Sequence, residues 1–281
     1  MERKYKLTEE SISFNGRTLY QIKAVRDFDN VKKGQKGGFV ESEENLSQNG
    51  NAWVRDNAKV FGNARVFGNA NIHGNAWVSD NARVFGNAMV FSNARIYGNS
   101  EVYGNALVYD NAILSGNAIV CGNVSVSDDA KVWGNAKISG YAQVSGYATV
   151  NGNACVCGNA NLRDCANVSG YAKVSGNAYV VDKASVFDKA KVSGQAMISG
   201  YANVSGDANV CVEEDYIVFK NVWSSYRYFT WTRSNNMWRV GCFYGTGEEL
   251  IKKAYKDSEK SGREYERVVK YVDGMLADNK K

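Results

Sequence analysis

Proline is absent from all 281 residues of the chain, and His73 is the only histidine. Without proline, every turn must be made by residues that tolerate positive φ, chiefly Gly, Asn and Asp. With one histidine, His73 is the sole imidazole candidate for general-base chemistry. Long apolar runs are missing too, so no membrane span is expected. The charged start, Met1 to Lys6, is not followed by an apolar segment, and no signal peptide is expected. No basic block occurs: 34 basic side chains against 29 acidic ones give a formal +5 spread along the chain. That balance argues against an electrostatic nucleic-acid binder. The six cysteines, Cys121, Cys155, Cys157, Cys165, Cys211 and Cys242, lie mostly at ordinary repeat positions. Free thiols in a reducing cytoplasm are therefore expected rather than disulfides.

What fills the chain instead is a six-residue phrase, seen twice in KVFGNARVFGNA (residues 59–70). From Val54 to Val210 an aliphatic residue recurs every six positions, 27 times without a slip. Two residues before it stands Ala at 25 of those 27 positions, the exceptions being Ser100 and Val124. A period of six with Gly-Asn in each unit defeats a helix. A short strand followed by a turn fits: in Ala64-Arg65-Val66-Phe67, alternation sends Ala64 and Val66 to one face and Arg65 and Phe67 to the other. One unit buries too little to offset its own ordering, so units must stack and share a core.

The phrase aliphatic-x-Gly-Asn-Ala-x resembles the hexapeptide repeat of left-handed parallel β-helices, in which three hexapeptides make one triangular coil. The resemblance implies a mainly β fold of nine coils over residues 51–212. Residues 24–54, AVRDFDNVKKGQKGGFVESEENLSQNGNAWV, resemble the head of YdcK-type proteins, a bacterial group classed with transferases on the strength of the β-helix. Homotrimers are what the β-helix resemblance implies.

Residues 18 apart should share a face. Arg65 and Phe67 then stack on Arg83 and Phe85, followed by Glu101 and Tyr103, while Met89 and Phe91 stack on Leu107 and Tyr109. Farther along, the outward positions become small and polar, as at Ser139, Ser175 and Ser193. An exposed aromatic strip marks a contact surface, which leaves self-association, coverage by the chain's own ends, or a ligand or partner.

The ends read differently. Residues 1–50 carry a hairpin, ISFNGRTLYQI with Asn15-Gly16 at the turn, whose plain role is to cap the open end of the coil stack. Residues 213–281 predict aromatic strands followed by two helices, 247–257 and about 262–277, an α+β unit. Trp223, Trp231, Trp238 and Arg239 either stack on a ligand base or form that unit's core. Gly245-Thr246-Gly247 either holds an anion at a helix start or is an ordinary helix cap.

No metal site is expected: Cys155 and Cys157 point outward together, but Cys121 is two coils away and no histidine is near. Nor is a cofactor expected on the residues alone. The preferred expectation is a non-enzymatic, homotrimeric scaffold presenting its grooves or C-terminal unit to a ligand or partner. The ladder residues Arg65, Phe67, Arg83, Phe85 and Tyr103 are its foremost contact candidates. The resemblance implies an alternative, an acyltransferase using acetyl-CoA with His73 as base. A third reading, suggested by Arg65 and Arg83 beside the Phe/Tyr ladder, is sequestration of a small nucleotide or signalling ligand.

Overall fold

The computed structural model describes residues 3–278. Twenty-seven short strands, β4 (Trp53–Val54) to β30 (Asn209–Val210), are dealt in turn to three parallel sheets. Each strand pairs with the one 18 residues on, as Arg65 and Val66 do with Arg83 and Val84. Between coils the backbone bonds repeat, for example Trp77 N–H to the Ala94 carbonyl at 3.0 Å. The Ala and aliphatic ladders are fully buried and form one continuous core along the stack.

The expected nine coils fall short of the observed stack, which has about ten turns. The extra turn comes from the head. Strand β3 (Lys36–Val40) pairs in parallel with β5 (Lys59–Val60), and Leu46 bridges Val66. Val40 and Leu46 keep the six-residue step, but the next step, from Leu46 to Val54, is eight. A strict phase therefore breaks there, although the chain is already coiling.

Two ladders run along the corners. Asn63, Asn81, Asn99, Asn117, Asn135 and Asn153 pass side-chain amide hydrogen bonds from coil to coil at 2.9–3.0 Å. Beside them sits a residue with positive φ. Where it is Gly, coils approach closely: a Cβ on Gly104 (φ +75°) would lie 2.8 Å from the Gly122 nitrogen. Where it is Asp, the carboxylate is put to use. Asp80 (φ 57°) accepts from the Gly98 N–H at 2.9 Å, and Asp128 from Gly146 at 2.8 Å.

Parallel coils leave opposite backbone groups unpaired at the two ends, and the caps answer that polarity. The first coils expose carbonyls. Lys4 donates its ammonium to Gly50 O (3.3 Å) and Ala52 O (2.8 Å), and the Asn45 amide donates to Gly62 O and Ala64 O, both at 2.9 Å. The last coil exposes N–H groups, and hydroxyls accept them. Thr230 Oγ1 takes Asn203 N–H at 2.8 Å, Ser234 Oγ takes Asn209 N–H at 2.7 Å, and the Tyr216 hydroxyl takes Ser199 N–H at 3.3 Å.

The head hairpin is β1 (Tyr5–Phe14) and β2 (Arg17–Ala24), turning at Asn15 (φ 51°) and Gly16 (φ 74°). At the other end, β31 (Tyr216–Lys220), β32 (Tyr228–Thr232), β33 (Met237–Val240) and β34 (Phe243–Gly245) form an antiparallel sheet in that order. Helices α1 (Gly247–Asp257) and α2 (Glu259–Asp278) complete the unit. Its separate core holds Phe229, Trp231, Trp238, Tyr265 and Val269.

Candidate functional site

Outward residues of each sheet are held in register by the core ladder behind them, so like side chains meet at the coil spacing. On the sheet begun by β6 (Arg65–Val66), the rings of Phe67, Phe85 and Tyr103 stack with centroids 4.8 Å apart, tilted by 4° and 10°. Arg83 lies beside this stack, its guanidinium carbon 5.5 Å from the Phe67 and the Phe85 centroids. Its Nη1 donates to Glu101 Oε1 at 3.0 Å, which orients the fork along the ladder. Arg65, on the rung below Arg83, is exposed and makes no ion pair among the described residues.

The ladder ends at Phe67. On the next rung toward the head, Leu46 bridges Val66, which sets Ser47 rather than a ring beside Phe67. A groove of about 910 Å³ opens there, lined by Phe67, Arg65, Arg83, Leu46, Ser47 and Gln48, with Glu43 and Glu44 also facing it. Glu43 is paired with Arg3 at 3.0 Å. The groove thus combines an aromatic wall and two guanidinium groups with an acidic side, while the Gln48 amide is held by the Lys4 and Tyr5 backbone. Three residues singled out in the sequence, Arg65, Phe67 and Arg83, line this groove, and Phe85 and Tyr103 continue the ring stack behind Phe67. Ser47, Gln48, Glu43 and Glu44 were missed because the head does not carry the strict period.

The other two faces differ. On the β5 sheet the chain's own hairpin covers the aromatics: Phe14 packs edge-on against Phe61 at 5.6 Å and against Trp77 at 6.5 Å. On the β4 sheet His73, Phe91 and Tyr109 stack at 4.9 Å. Burial lowers the His73 pKa first, Asp56 opposes this, and Arg55 adds to it. Among the described residues, no side chain hydrogen-bonds the His73 ring, so nothing orients it as a base.

In the C-terminal unit the two readings of the aromatics separate. Trp231 and Trp238 are buried, and Trp231 Nε1 donates to Asn236 Oδ1 at 2.8 Å. Their rings build the core, and no face is left for a ligand base. Arg239 lies 4.8 Å over the Phe187 ring of the solenoid and 5.9 Å from Tyr244, so it fastens the unit to the coils. Trp223, by contrast, is exposed beside a groove of about 650 Å³ that Phe219 and Tyr271 also line. At Gly245-Thr246-Gly247 the helix start is already occupied. Thr246 Oγ1 accepts from Glu249 N–H at 3.3 Å, and Glu249 Oε2 accepts from Thr246 N–H at 2.9 Å. The anion at this helix N-terminus is the chain's own carboxylate.

Residues 102–116, within this array, match the family model described as the YdcK Beta solenoid repeat. The chain resembles the YdcK proteins. A relative from Escherichia coli (strain K12), named Uncharacterized acetyltransferase YdcK, is 39% identical over 62 residues. The match covers 19% of this chain and 19% of that YdcK protein, so the two share about one fifth of their lengths. Among the described residues, no helix is long and apolar enough to cross a membrane.

Proposed function

We propose that the protein is a non-enzymatic, cytoplasmic scaffold, homotrimeric through its solenoid faces, that binds a small ligand carrying a planar aromatic ring. The observation that carries this reading is the open end of the Phe67–Phe85–Tyr103 ladder. A ligand ring seated on the groove side of Phe67 extends an existing stack by one rung, a contact worth about 1–3 kcal/mol. Arg65 and Arg83 stand beside that position to take an anionic substituent such as a phosphate. A small nucleotide fits this description. Ordered ladders also favour binding because their side chains are immobilised before the ligand arrives. Six free thiols support the cytoplasmic assignment.

The name of the YdcK relative favours a second reading, acetyl transfer from acetyl-CoA. His73 is then the base, but it lies on the β4 sheet while the groove opens on the β6 sheet. The two readings part in one assay. The scaffold reading expects no release of free CoA when the protein is incubated with acetyl-CoA and candidate amine or hydroxyl acceptors. Turnover that His73→Ala abolishes would overturn it.

A further inference from the structure

Cys155 and Cys157 flank Val156, which is fully buried in the core. Strand alternation therefore sends both thiols to the outer surface on one rung. Both are half-buried. Strand pairing places Lys137 on the rung before Cys155 and Lys173 on the rung after it. Farther cysteines do not join: Cys121 is two rungs from Cys157, roughly 10 Å away.

We propose that Cys155 and Cys157 form a two-coordinate site for a soft monovalent cation, with Cu(I) as the fitting ion. Thiolate ligands favour soft metals, Cu(I), zinc and iron–sulfur clusters among them, and of these Cu(I) is the one that two ligands can satisfy. A tetrahedral zinc site needs four ligands, and among the described residues no group of three or more His, Cys, Asp or Glu converges. Two thiolates in line around one ion need no third ligand. Alternate residues of a strand have Cα atoms about 6.6 Å apart, near the upper limit of about 6.8 Å for a direct disulfide. An ion between the sulfurs lengthens the bridge and relieves that limit.

The charges also close. Binding releases two thiol protons to solvent and leaves a bis-thiolate Cu(I) centre of charge −1, which Lys137 and Lys173 flank.

The test is titration of the fully reduced, full-length protein with Cu(I) under nitrogen, in excess glutathione. The expected result is one tightly held Cu(I) with an ultraviolet sulfur-to-copper band. Cys155→Ser and Cys157→Ser should each abolish it, and Cys121→Ser should leave it unchanged. These positions face outward, and circular dichroism checks that the serine variants stay folded. The proposal is overturned if the wild-type protein surrenders all copper to glutathione, or if either serine variant keeps the bound ion and its band.

Discussion

Replacing Lys4 with Met tests the idea that the coil stack ends where its unpaired carbonyls find donors. Lys4 is buried and serves Gly50 O and Ala52 O, with its ammonium 5.2 Å from the Phe28 ring. Met keeps much of the volume and removes both donors. Each carbonyl left unpaired costs about 1–3 kcal/mol, and relief from burying an ammonium returns part of that. A net loss of about 2 kcal/mol in the opening of the first coil is expected near neutral pH. That corresponds to roughly 30-fold faster amide exchange, read by hydrogen–deuterium exchange on peptides covering residues 36–60.

The pH dependence fixes the sign. Burial first, then the nearby Arg26 charge, drops Lys4 from 10.5 to about 8. Between those values the unfolded chain holds a proton that the folded chain does not, so this group's contribution to stability rises with pH. The neutral amine still offers N–H groups to both carbonyls. The slope cannot exceed about 1.4 kcal/mol per pH unit, and integrated from pH 7 to pH 10 the gain is about 2–3 kcal/mol at most. The gap between wild type and Lys4→Met should therefore widen from pH 7 to pH 10. Equal exchange in the two proteins, or a gap that narrows with pH, would refute the reasoning.

Leu114→Ala empties a fully buried mid-stack position and should cost about 2–5 kcal/mol by urea denaturation. Gly86 has φ +69°, and a Cβ there would meet the Gly104 nitrogen at 2.9 Å. Gly86→Ala should lower the melting temperature, and Gly86→Asp should lower it less, because the carboxylate can accept the next coil's N–H as Asp80 does. Thr246→Ala removes the acceptor of the Glu249 N–H and should cost the C-terminal unit about 1 kcal/mol, measurable by exchange in α1.

Much of the solenoid was legible because the core imposes a six-residue step and the corners admit few residue types. Ala64, Val66 and Gly68 each announce their position. The tenth turn was not, since the eight-residue step from Leu46 to Val54 breaks the phase that made the rest readable. Corner aspartates such as Asp80 read as turn residues from sequence, whereas their carboxylates also tie adjacent coils. The ladder half of the groove followed from an 18-residue register, which brings Phe67 beneath Phe85. Its other half, Ser47 and Gln48, depends on how the head folds back, which no local pattern encodes. Trp231, Trp238 and Arg239 show the converse. Sequence supplies aromatic character, and only packing decides between a core, as for the two tryptophans, and a clamp against Phe187, as for Arg239.

Native mass spectrometry of the protein purified gently from cells addresses the binding-scaffold claim most directly. The account predicts a trimer carrying a small copurified ligand, retained by the wild type and by His73→Ala but lost from Phe67→Ala and Arg65→Ala. A wild-type protein without bound ligand, or ligand retained undiminished by both groove variants, would contradict it.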